Sequence, residues 1–390
     1  MTRLLAASLL AAAAATLPQE GCPEPSAQLG GASTTTFRQE VAPAPPSQRY
    51  ALVDDGARLT TYQVDPLTPA LTVVAEASHR ASYLPVWPVD NPALGLVHLA
   101  IAESGPSTGY PDTQLLATYR METEGHGLAA GEVRKLGETK NQEVPLAVHT
   151  AGSLFVLGGG ERSIRSYAIA GAALTQVATT PVPVEVPGSL LADPSGSYLL
   201  ASYQSLSGSQ LDTYRIDPAS RQLTLQHRLS LTQPLDRMAF DTSGHLLLGL
   251  GRRDNSLRTY SFDAATGSLA AQQRLAAGRW PADLAQVGRR IYVTAPNSDE
   301  ILGFEQDPES GMLTELGAMM RLDEPLSLAV HPTGRFLYLG RGRWTHKAIQ
   351  AFAVDPSTGD LTPLGVVASG NVIRIEHAPR RHNSGREMTS

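Results

Sequence analysis

Residues 348–367 read AIQAFAVDPSTGDLTPLGVV. Two runs of strand-forming residues flank Asp355-Pro356-Ser357-Thr358-Gly359. Aspartate and proline open a type I turn, and the glycine supplies the positive φ that a bulged hairpin needs, so the segment reads as a hairpin. The phrase returns as VDPLTPALT from Val64, IDPASRQLT from Ile216, FDAATGSLA from Phe262 and QDPESGMLT from Gln306. Weaker copies are METEGHGLA from Met121 and IAGAALT from Ile169. Aligned on their second residue, the seven copies stand at Asp65, Glu122, Ala170, Asp217, Asp263, Asp307 and Asp355, in steps of 44 to 57 residues.

Upstream of these connectors lies a second recurrent hairpin: PLSLAVHPTGRFLYLG from Pro325, SLLADPSGSYLLAS from Ser189, DRMAFDTSGHLLLGL from Asp236 and PLAVHTAGSLFVLG from Pro145. One period therefore holds four short antiparallel strands, a to d in chain order. Four strands repeated every ~40 to 50 residues are the signature of a β-propeller blade. Seven copies predict an all-β, seven-bladed propeller over residues 48–379. The ends sharpen this. NVIRIEHAP from Asn371 reads as a strand a, whereas RYALVD from Arg49 reads as a strand b. The C-terminus is thus expected to supply the innermost strand of the N-terminal blade, which closes the ring and removes free sheet edges.

Composition agrees. Of 390 residues, 35 are glycine and 28 proline, spread along the whole chain, which excludes long helices. A formal charge of −6 argues against nucleic acid as a partner, because phosphate binding needs a concentrated basic surface. One cysteine excludes a disulfide framework. No HExxH, paired-His or EF-hand spacing occurs, and GGG at Gly158 to Gly160 lacks the Lys-Ser/Thr of a phosphate loop, so neither metal nor cofactor is expected.

Residues 1–17, MTRLLAASLLAAAAATL, have one cation, an apolar stretch and small residues suited to cleavage, the anatomy of a signal peptide. Residues 18–47 are a Pro/Ser/Thr-rich leader and residues 380–390 a polar tail. The expectation is a periplasmic or secreted monomer without a transmembrane segment. Cys22 is either a free thiol in the leader or the lipidated residue of a lipoprotein; Pro18-Gln19-Glu20-Gly21 before it departs from a Leu-Ala-Gly-Cys lipobox.

The repeat, clearest in HPTGRFLY from His331 and VDPSTGDLT from Val354, resembles the lactonase family of seven-bladed propellers, which includes 6-phosphogluconolactonase-type enzymes. The resemblance implies hydrolysis of a small sugar lactone or other cyclic ester. Family enzymes carry Pro-Arg-His at the start of a strand a and Asn-Glu after a strand b. Here blade six reads GRWPADL from Gly278, with no Arg-His after Pro281, and blade seven has Gly340 in place of a family asparagine beside the matching Arg341.

In such a ring the b–c and d–a loops share one face, where ligands meet the mouth of the central channel. The Asp-Pro connectors fall on the opposite face and read as structural turns. Lactone hydrolysis needs a base for water and a cation for the oxyanion, and Arg341, Arg252 and Glu161 are the candidate catalytic residues. Arg279, Trp280, Arg343, His346 and Tyr203 are candidates for gripping a small anionic lactone or another envelope ligand. The alternative is a non-catalytic propeller that binds a protein, glycan or small ligand through the same loops, including the insertion ESGPSTGYPDTQ from Glu103.

Overall fold

The structure of the chain, a computed structural model, describes residues 49–79, 86–91, 95–104, 111–121, 128–138, 144–149, 152–158, 161–171, 173–342 and 346–377. The expected signal peptide, leader, Cys22 and polar tail lie outside these residues, as do Arg343 and most of the insertion after Glu103.

All regular structure among the described residues is β. Seven four-stranded antiparallel sheets follow one another. Blade seven shows the pattern: inner strand Pro325–Val330, then Phe336–Arg341, Ala348–Val354 and outer strand Leu361–Ala368. Blade one is assembled from both ends of the fold. Its inner strand is Val372–His377, paired with Arg49–Asp54 so that Arg49 faces His377 and Asp54 faces Val372. Arg58–Val64 and Leu71–Ser78 complete it. The expected closure is thus present.

The connectors form the expected turns. Asp355 Oδ1 accepts the N–H groups of Ser357 (2.8 Å) and Thr358 (2.9 Å), and Gly359 has φ of 77°. Asp65, Asp217 and Asp307 make the same pair of bonds, and these N–H donors hold each carboxyl below its ordinary range. Blade four has Arg221 where blades five to seven have glycine, and it takes the left-handed conformation with φ of 61°.

Strands alternate their side chains between the two faces of a blade, and both faces are covered by neighbours. The buried apolar residues form one cluster between each pair of adjacent blades, and an eighth joins Ala282, Leu326 and Val372 of blades six, seven and one, with Trp87 against it. Tyr198, Leu200 and Leu211 of blade four meet Met238, Leu247 and Tyr260 of blade five, for example. Tyr292 and Ile301 of blade six meet Leu337 and Phe352 of blade seven. The ring closes with Ala51, Val53 and Ile373 of blade one against Tyr338 and Ile349 of blade seven.

Polar links along the connector face reinforce these contacts. His331 donates from Nε2 to the Asp65 carbonyl at 2.8 Å, tying blade seven to blade one, while its Nδ1 lies 2.8 Å from Thr333 Oγ1. Tyr198 and Tyr292 hydroxyls donate to the carbonyls of Ala265 and Gly359 in the next blade's connector. Gly340 has a packing reason. A Cβ there would run into the Asn371 carbonyl and Ser327 Oγ, because the closing segment crosses directly over it. The asparagine expected from the family pattern has no room.

Candidate functional site at the channel mouth

Three inner strands and the segment before blade two bring four polar or aromatic side chains together. Asp283 opens the inner strand of blade six, Asp283–Val287, and is 1% exposed. Arg237 opens that of blade five, Arg237–Phe240, and its Nε donates to Asp283 Oδ1 at 3.0 Å. Arg374, on the closing strand, donates from Nη1 to Asp283 Oδ2 at 2.9 Å and to the Leu328 carbonyl at 3.2 Å. The backbone N–H of Leu328 also donates to Asp283 Oδ2, at 2.9 Å. Trp87, just before blade two, completes the group: Arg237 and Arg374 lie 4.8 and 4.7 Å from the centre of its ring.

Blades two and five are not neighbours, so this contact spans the central channel. Burial pushes the Asp283 carboxyl up, while Arg237 and the Leu328 N–H pull it down. Two guanidiniums on one carboxylate make a group with one net positive charge, which the indole face stabilises further.

Trp87 and Arg237 also line a cleft open to solvent. Its sides differ chemically. Blade five contributes Asp236, Arg237 and Arg252, and the backbone N–H of Arg252 donates to Asp236 Oδ2 at 2.7 Å. Blades two to four contribute Val89, Ala102, Val144, Leu146 and Leu190, with Gln114 among them.

Of the residues singled out from the sequence, Arg252 lines this cleft. Tyr203 is placed elsewhere than expected. It belongs to strand Tyr198–Ser205 rather than to a loop, is fully buried, and donates to Asp212 Oδ2 at 2.6 Å. Asp212 also receives the Tyr214 hydroxyl and two N–H groups of Arg228. Burial and this carboxylate push the Tyr203 hydroxyl up to about 12, so it remains a neutral donor inside blade four.

Glu161 is exposed, accepts the Ser163 hydroxyl at 3.2 Å and lies 3.9 Å from Arg165 Nε. Arg279 and Trp280 sit on the d–a loop entering blade six. Backbone N–H groups fix them: Arg279 donates to Ser298 Oγ at 3.0 Å and Trp280 to Asn255 Oδ1 at 2.9 Å. Arg341 ends a strand, with its Nε buried and without a hydrogen-bond partner among the described residues. His346 is exposed, with φ of 56°. None of these five lines the cleft.

Asp236, Arg237, Asp283, Arg374 and Trp87 were not singled out from the sequence. A signal was present: Asp283 stands two residues after Pro281, in the place of the family's histidine, and Arg237 occupies the matching place in blade five. Among the described residues no group of three or more His, Cys, Asp or Glu side chains could hold a metal ion. No helix among them is long and apolar enough to cross a membrane.

A family model described as "Lactonase, 7-bladed beta-propeller" matches residues 237–328 and 290–378, which cover blades five to seven and the closing strand. The fold defines a seven-bladed β-propeller, and its last three blades are similar in sequence to the lactonase propellers. No curated protein matches the chain. Among similar solved structures is a periplasmic gluconolactonase from Pseudomonas aeruginosa, 18% identical, with a TM-score of 0.70 over 85% of this chain and 100% of that one. A candidate 6-phosphogluconolactonase from Bacteroides fragilis is 17% identical, TM-score 0.70, over 85% and 98%. A second, from Bacteroides uniformis, is 14% identical, TM-score 0.70, over 85% and 100%. At these identities the likeness is one of fold.

Proposed function

We propose that this protein is an exported hydrolase of a small anionic lactone or related cyclic ester, acting in the cleft at the channel mouth. The observation that carries the reading is the convergence of Asp236, Arg237 and Arg252 on one side of that cleft. Asp236 takes a proton from water as the water oxygen bonds to the lactone carbonyl carbon. Arg252 faces the oxyanion that forms. The ring C–O bond then breaks, and the proton passes from Asp236 to the leaving alkoxide. Arg237, held by Asp283, attracts the substrate's anionic group. Asp283 is no candidate base, since its oxygens already accept two guanidiniums and a backbone N–H. Export is supported by the signal-like residues 1–17 and by the periplasmic gluconolactonase of similar fold.

One observation favours a binding propeller instead. The rim of blades five to seven is held by left-handed, non-glycine residues, Asn255, Trp280, Asp299, Glu324 and His346, with Asp299 Oδ1 accepting the Glu324 N–H at 3.0 Å. Such residues persist only where their surroundings hold them, which gives a rigid platform. A panel of aldonolactones and other cyclic esters, followed by acid release with the purified full chain, separates the readings. Hydrolysis that falls at least 100-fold in Asp236→Asn and Arg252→Met supports catalysis. Ligand binding by calorimetry with no turnover across the panel supports the platform.

A further inference from the structure

The cleft is lined by two unlike sets of residues, and charged side chains come from blade five. Asp236, Arg237 and Arg252 stand on blade five. From blades two to four come the apolar side chains Val89, Val144, Leu146 and Leu190, with Gln114 as the polar one among them. A polyhydroxylated sugar lactone would press several hydroxyls against that wall, and each buried hydroxyl without a partner is penalised. An alkyl or aryl substituent there loses nothing and removes apolar surface from water. Trp87 adds to the same preference, because its indole is a further apolar surface lining the cleft.

We infer that the substrate is a lactone bearing an apolar substituent, with its ester and any charged group toward blade five and its alkyl or aryl flank toward the wall of blades two to four. This rests on the hydrolase reading, and the experiment keeps the two apart. Initial rates of the full chain are compared on δ-decanolactone, which carries a pentyl chain, and glucono-δ-lactone, which carries none. Each buried methylene favours the former by about fourfold, so three or more on the wall give a kcat/KM ratio of at least about 60.

Val89→Thr and Val144→Thr keep side-chain shape while adding a hydroxyl to the wall, and each is expected to lower that ratio about tenfold. A ratio near one, or a ratio indifferent to both variants, overturns the inference while leaving lactone hydrolysis intact. If neither lactone is hydrolysed, the hydrolase reading fails, and calorimetric binding of the same two compounds decides the apolar flank. Tighter binding of δ-decanolactone that weakens in Val144→Thr upholds it, and equal binding of both compounds overturns it.

Discussion

Replacing Asp283 with asparagine keeps the shape of the side chain and an acceptor for the Leu328 N–H, but removes the charge that Arg237 and Arg374 share. The carboxylate is 1% exposed and receives the two guanidiniums at 3.0 and 2.9 Å. Charge-assisted hydrogen bonds of this kind contribute about 1.5 to 3 kcal/mol each, so losing both costs about 3 to 6 kcal/mol. Removing one member of a buried ion pair gives a similar figure, about 3 to 5 kcal/mol. We therefore expect Asp283→Asn to lower the unfolding free energy by about 4 kcal/mol, read from urea unfolding at pH 7. Arg374→Met alone leaves Asp283 paired with Arg237 and is expected to cost about 2 kcal/mol. Once the charge at 283 is gone, Arg374 has lost its reason to be buried. The double variant should then be less destabilised than the two single losses together, by about 1 to 3 kcal/mol. Strict additivity, or a loss below about 1 kcal/mol for Asp283→Asn, would show that the three groups do not act as one unit.

Other residues give independent tests. Gly340→Ala drives a methyl into the Asn371 carbonyl and Ser327 Oγ, and is expected to cost about 3 kcal/mol and to expose the closing strand to limited proteolysis. Arg221→Gly relieves a left-handed arginine in the blade-four connector and is expected to raise stability by about 1 kcal/mol in thermal unfolding. His98 is buried in blade two, and burial lowers its pKa from 6.5 to about 4. Above pH 6.5 it is neutral in both states. As pH falls from 6.5 to 4 the unfolded chain takes up a proton that the folded chain refuses, so stability falls by about 3 kcal/mol over that window. The difference in unfolding free energy between wild type and His98→Gln, measured across that window, should carry this slope; a flat difference would refute it.

The fold was legible because the sequence repeats it. Asp355, Gly359 and their counterparts encode turns through local hydrogen bonds and backbone conformation, which act within five residues and so leave a mark in any window of that size. Closure was legible for a related reason: Asn371 onward and Arg49 onward are complementary fragments of one period. The site was much less so. Arg252 was found because it is a charged residue in a mouth loop. Asp283 and Arg374 are 91 positions apart and meet only because the ring brings inner strands together, which no periodicity announces. Tyr203 shows the converse error. Its position beside a b–c loop suited a ligand contact, but the strand runs on past it and directs the ring to Asp212, nine residues away.

The pairing of Arg49–Asp54 with Val372–His377 also bears on the order of synthesis. The first strand of the ring to leave the ribosome must wait for the last before its blade has an inner edge. Blades two to seven can form in succession as they emerge, but the seam between blade seven and blade one stays open until residue 377 has been made. The chain therefore spends its translation as an unclosed arc and locks only when its closing strand arrives.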